Sequence, residues 1–154
     1  MPTTINDYIK KCKFVASKIL DEQERIVLKN ENKIVSLNVD AMQDGLGSDG
    51  RILNNTDKRF KGVYSLGTQL IDSKKLAGTP YNFFQTGDFL ANMQINLEPS
   101  LIKFDLFSTG TGSGDKALFF KGYNNLFGLN KNNTNVVNYE ILYPEIMQFI
   151  KKYL

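Results

Sequence analysis

Between Met93 and Phe107 the chain alternates apolar and polar residues twice, on either side of Glu98-Pro99-Ser100. Successive side chains of a strand point to opposite faces, so Met93, Ile95 and Leu97 share one face of a first strand. Ile102, Phe104 and Leu106 share one face of a second, with Lys103 and Asp105 opposite. Pro99 marks the turn, because proline has no N–H to give a ladder. A β-hairpin with one buried face is the most narrowly specified local structure here, and whatever else folds must cover that face.

Helices are the expected cover. Thr4 stands three residues before Asp7, an approximate capping box. Ile5, Tyr8, Ile9, Cys12, Val15, Ala16, Ile19, Ile26 and Val27 then follow at helical spacing, with Lys10, Lys13, Ser17, Asp21 and Glu24 opposite. Asn30-Glu31-Asn32 ends or bends this helix. The next run, Ile34 to Met42, suits either period: Val35, Leu37 and Val39 alternate like a strand, whereas Leu37 with Ala41 fits a helix. We read it as a short helix. The segment "QDGLGSDGRILNNTDKRF" is a loop by its Gly, Asp and Asn content. A second helix is expected from Ser65 to Leu76, capped by Ser65 and stopped by Gly78 before Pro80. "STGTGSGDK" is a flexible loop, and "ALFFKGYNNLFGLN" packs as irregular structure or a short helix. In the last segment Val136, Val137, Ile141, Leu142, Ile146, Phe149 and Ile150 keep helical spacing. Pro144 lacks an N–H and disfavours helix at Tyr143, which predicts two short helices with Pro144 near the start of the second. The expected fold is α+β, a single domain over 1–154: a small antiparallel sheet packed against a long N-terminal helix and C-terminal helices. No internal repeat is visible.

Several chemistries are disfavoured. The 154 residues contain no histidine, the commonest general base and metal ligand. A net charge of +3 is too small to argue for nucleic-acid binding without a concentrated patch. Cys12 is the single cysteine, which suits a reducing compartment, and it sits on the apolar face of the first helix as a small core residue. No apolar run reaches the length of a membrane span and "MPTTINDYIKK" is no signal peptide, so the expectation is a soluble intracellular product. The run Gly110 to Lys116 fails as a phosphate loop: three residues separate its outer glycines, Asp115 intervenes, and Ala117 follows the lysine. "DAMQDGLGSDGR" fails as a calcium loop in both registers. Gly45 at the sixth position puts Met42 third and Arg51 twelfth, and Gly50 there puts glycines first and third. Asp7, Asp21, Glu22 and Glu24 read as a solvated face, as do the basic residues of "DKRFK" at 57–61, with Lys74 and Lys75 further on. No catalytic, cofactor-binding or metal-ligating residue is assigned.

Ahead of the hairpin stands Thr86-Gly87-Asp88-Phe89. Gly87 permits positive φ or a close backbone approach, Thr86 caps a short helical turn, and Asp88 complements its free N–H groups. Phe89 and Leu90 would bury as the chain enters Met93. This structural turn belongs to a longer series. Asp44 to Gly50 forms a Gly/Asp loop, Tyr64-Ser65 starts a helix, "SKKLAGTPY" ends it, and "NLFGLN" follows later, from Asn125 to Asn130. In that order the motifs resemble the virion morphogenesis proteins of tailed bacteriophages, of the tail-completion or head–tail connector class, in a branch associated with phages of Bacteroidetes hosts. Asn92 stands where that family usually has Ser, and "FFKGY" replaces its later Tyr-Ala and His-x-x-Gly pattern.

The resemblance implies a non-enzymatic structural protein of the head–tail junction or tail end. It would be assembled in the bacterial cytoplasm and located in the virion, forming a homo-oligomeric ring and docking to portal, connector or tail-tube proteins. No cofactor or membrane enters this expectation, and nothing in the sequence supports a DNA contact. The dense aromatics make Phe119, Phe120, Tyr123, Leu126 and Phe127 the candidate interface, since aromatics are favoured in interface cores. The same density suits ordinary core packing. The loops Gly45 to Asn55 and Thr109 to Asp115 are expected to order on assembly. Two other classes stay open: a small phage-encoded binding module that inhibits a host protein, and an enzyme using Asp or Lys chemistry.

Overall fold

The computed structural model describes residues 4–53, 62–83, 88–98, 103–108 and 122–154. They are mostly helical. α1 spans Ile5–Lys29 and α2 Glu31–Gln43, followed by the short helices α3 (Leu66–Ile71) and α4 (Asp88–Ala91). Strands β1 (Met93–Glu98) and β2 (Lys103–Ser108) form one antiparallel ribbon, and α5 (Lys131–Val136) leads through a π-helical turn (Val137–Leu142) into α6 (Tyr143–Tyr153).

A sheet-centred α+β layering is not what organises these residues. Two strands offer too narrow a face for helices to pack on from several directions, and the core is built instead between helices. Ile26 and Val27 of α1, Ile34 of α2, and Val137 and Ile141 of the π-turn bury together, with Ile95 and Leu106 as the ribbon's contribution. Ile95 pairs directly with Leu106 across the ribbon, and Leu97 with Phe104. Glu31, in the first turn of α2, accepts a hydrogen bond from the Ile95 N–H at 3.1 Å and so fixes one edge of β1 to the helix pair. A second cluster gathers Met42, Leu53, Phe89, Leu90, Met93, Tyr123 and Leu126. α2 reaches both clusters, Ile34 entering the first and Met42 the second.

The Thr4–Asp7 capping box closes as its spacing requires. Thr4 Oγ1 accepts from the Asp7 N–H at 3.2 Å and Asp7 Oδ2 from the Thr4 N–H at 3.3 Å. At the other end of α1 a single residue separates two helices. Asn30 leaves helical geometry, and its Nδ2 donates to the Ile26 carbonyl at 2.9 Å and to Glu145 Oε1 at 3.1 Å. The run Ile34 to Met42 is helical. The strand-like alternation of Val35, Leu37 and Val39 is satisfied because Val35 and Val39, one turn apart, serve the second cluster while Leu37 packs on the first.

Two boundaries differ from expectation. α3 stops at Ile71 rather than reaching Leu76, because Asp72 takes an extended conformation and its Oδ1 accepts from the Lys74 N–H at 3.1 Å. That side-chain turn competes with continued helix. Near the C-terminus no gap separates the helices. Pro144 cannot donate and would crowd the carbonyl one turn back, but the preceding π-turn, in which the Tyr143 N–H reaches the Asn138 carbonyl, lets the helix run on with Pro144 in the first turn of α6.

α6 packs antiparallel to α1. Glu145 meets Lys29 Nζ at 2.9 Å and Arg25 at 3.6 Å, and the Phe14 and Tyr153 rings meet at 5.0 Å. The hydrogen bond from Lys29, helped by that from Asn30, holds the Glu145 carboxyl below its ordinary pKa. A depressed carboxyl pKa contributes stability above about pH 4.3, the ordinary glutamate value, and loses it as pH falls through the folded value. Glu145→Gln is therefore expected to lower stability by about 1 kcal/mol at neutral pH. Urea melts across pH should show that deficit closing in acid.

Candidate docking surfaces

The residues singled out in sequence fall into different places. Thr86 and Gly87 of the structural turn lie outside the described residues. Asp88 opens α4, and Phe89 and Leu90 bury in the second cluster. Among the described residues, Phe83 stands out near this turn by a φ of 53°. A left-handed conformation costs a bulky residue about 1–2 kcal/mol. Here the ring is placed by an edge contact with Tyr123 at 5.0 Å and a tilted one with Phe89 at 6.2 Å. Nothing in the residue type marks Phe83 for that role.

Of the candidate interface, Phe119 and Phe120 lie outside the described residues. Tyr123 and Leu126 are buried in the chain's own second cluster. Phe127 is 37% exposed and touches Phe89 at 5.9 Å, so it stands at the cluster's margin. It also lines, with Leu106, Leu129 and Val137, an open cavity of about 380 Å3 beside the π-turn.

The loop after α2 is built by hydrogen bonds within the chain as far as Leu53, so that part orders without assembly. Gly45 and Leu46 close the end of α2 on the Met42 and Ala41 carbonyls, and Leu46 bridges Ile52. Asp49 Oδ1 accepts from the Arg51 N–H at 3.0 Å and from Asn125 Nδ2 at 2.9 Å, which holds its carboxyl below the ordinary range. This acid is occupied in fixing the loop to the "NLFGLN" segment. Among the described residues no three acidic or thiol groups gather to hold a metal ion. The loops 57–61 and 110–116 lie outside the described residues, and Cys12 is half-buried on α1.

Two surfaces were not legible as surfaces in the sequence. The first is α3. Residues 62–64 and 79–81 pair as a short clasp, with Tyr64 N–H on the Thr79 carbonyl and Tyr81 N–H on Gly62. The Tyr64 hydroxyl donates to Asn82 Oδ1 at 2.7 Å and tightens that base. On the lobe so closed, Leu66, Leu70 and Ile71 stand 65%, 81% and 90% exposed. Leu66 and Leu70 are one helical turn apart and share a stripe. Together they form an exposed apolar patch on a fixed base.

The second is the start of α1, where Ile5 is 80% exposed and Tyr8 and Ile9 stand beside it. No helix of the described residues is long and apolar enough to cross a membrane. The chain matches no family model, no curated protein and no solved structure.

Proposed function

We propose that this protein is a non-enzymatic structural component of a tailed-phage particle, placed at the head–tail junction or the tail end. It works by docking to copies of itself and to portal, connector or tail-tube proteins. The order of short motifs from Asp44 to Asn130 supports the role. The observation that carries the mechanism is the pair of exposed apolar surfaces on different elements, α3 and the start of α1. A ring grows by heterologous contacts, in which one patch of a copy meets a different patch of a neighbour. Two unlike patches on separate elements suit that geometry. In the same reading the β1–β2 ribbon is the nucleus of a small antiparallel sheet completed at the assembly contact, since adding a strand to a sheet is a recurring mode of docking.

The self-association surface in this proposal is α3, because Tyr123 and Leu126 are committed to the interior. Leu70→Asp with Ile71→Asp charges a surface that contributes nothing to the core, so the variant should fold and melt as the natural chain does. Supplied in tagged form during particle assembly, it should enter particles about tenfold less than the tagged natural chain, a typical loss for a truncated hot spot. Equal incorporation would refute the role of α3. A natural chain missing from particles but found in a stoichiometric complex with a host protein would favour the inhibitor reading.

A further inference from the structure

Where α6 ends beside α1, residues far apart in sequence line one groove of about 410 Å3: Lys10, Lys11 and Phe14 from α1, and Lys152 and Tyr153 from α6. Phe14 meets Tyr153 at 5.0 Å. Tyr153 is held further by Phe149 at 5.1 Å and by the Lys152 ammonium, 5.1 Å from its ring, so Phe14, 44% exposed, is the more accessible of the two rings. Lys10 and Lys11 stand four and three residues before Phe14, which places them one helical turn away, on either side of it. Lys18, one turn beyond Phe14, is taken by Asp21 at 2.8 Å. Asp7 is the one acid in Thr4 to Lys18 or Phe149 to Leu154, and the Thr4 N–H and hydroxyl both donate to its carboxylate. Those two segments hold six of the chain's 19 basic residues and one of its 16 acidic ones, so they carry +5 and the rest of the chain −2. The overall charge of +3 conceals this concentration.

A ring with a cation on each side asks for a ligand that brings flat surface and negative charge together. A second copy of the groove brings only more lysines. An anionic bilayer answers the charge but rewards a flat apolar face lying in the interface plane, whereas Phe14 and Tyr153 line a groove between two helices. An acidic polypeptide carries its charges and its rings on different residues, and a nucleic-acid duplex keeps its bases stacked inside. A single strand answers both halves at once, since every nucleotide supplies a phosphate and an open base face, and binding of this kind pairs a basic groove with aromatic platforms. We infer that this groove binds single-stranded nucleic acid, with a base stacked on Phe14 and the flanking phosphates on Lys10, Lys11 and Lys152. The inference goes beyond the docking role proposed above. It draws neither on α3 nor on Ile5 and Ile9, which face away from Phe14 at about 100° per residue.

The test uses the full chain and a fluorescent twelve-residue oligothymidylate, followed by anisotropy. Neutralising a phosphate of a single strand contributes about −0.7 to the slope of log affinity against log salt, so three lysines predict a loss of about twentyfold between about 50 and 200 mM salt. Lys11→Gln with Lys152→Gln, both at exposed positions, should bind more weakly and flatten that loss to about threefold, with an unchanged melting temperature. Phe14→Leu keeps an apolar contact for Tyr153 but removes the platform. It should weaken binding about tenfold while leaving the salt slope as it was. A salt slope unchanged in the lysine variant, or an affinity unchanged in Phe14→Leu, overturns the inference. So does a duplex of the same length bound as tightly as the single strand. Polyglutamate bound as tightly would make an acidic polypeptide the occupant, and binding to phosphatidylglycerol vesicles that the lysine variant abolishes, with no binding of the oligonucleotide, would make it lipid headgroups. Either result also overturns the inference.

Discussion

Gly45→Ala lowers the stability of the chain by about 2–4 kcal/mol, a large loss for one methyl group. α2 ends in a Schellman motif: the Gly45 N–H bonds the Met42 carbonyl at 3.0 Å and the Leu46 N–H bonds Ala41 at 2.8 Å. The motif needs a left-handed residue, and Gly45 has φ 74°. About 1 kcal/mol of the loss is the cost of placing an L side chain there. The rest comes from Pro80, whose Cβ lies where the new methyl must go. Gly50 separates the two contributions. It has the same φ of 74°, but nothing lies within 4 Å of its missing Cβ. Gly50→Ala should therefore cost only about 1 kcal/mol. Urea denaturation of the two variants checks both figures, and equal losses would mean that Pro80 does not press on the α2 terminus.

Ile34→Ala should cost about 3–4 kcal/mol, within the range for large-to-small changes at fully buried sites. Ile34 has no exposed surface and packs where α1, α2, the ribbon and the π-turn meet. Such a junction cannot collapse onto a cavity without moving several elements, so the cost should fall in the upper part of that range. In a chain of this size the melting temperature should drop by about 10 °C. Ile71→Ala is the control, because Ile71 is almost wholly exposed. It should change stability by less than about 0.5 kcal/mol while weakening assembly. Thermal melts of both variants distinguish a helix-centred core from one in which α2 is peripheral.

What the sequence made legible was local chemistry with a short reach. Thr4 with Asp7, Ser65 ahead of α3, and the alternation through Met93 to Leu97 each specify structure within a few residues. The differences came from distant packing partners and from local hydrogen bonds that residue type alone does not specify. Whether Tyr123 and Leu126 form core or interface depends on Met42, Leu53 and Phe83, which pack around them from other segments. Aromatic density alone is the same in both cases. The expected helix runs to Leu76 because Gly78 before Pro80 marks a stop, while the hydrogen bond that ends α3 earlier belongs to Asp72. Pro144 signalled a break, but the sequence does not say that the hydrogen-bond register can widen by one residue to absorb it.

The central claim is that this chain is a particle component that acts through docking surfaces. Quantitative mass spectrometry of purified particles tests it most directly. The account predicts the chain at a fixed copy number per particle, equal to a ring's worth of subunits and retained through washes that strip adsorbed host proteins. Particles that infect normally yet contain none of it would contradict the account.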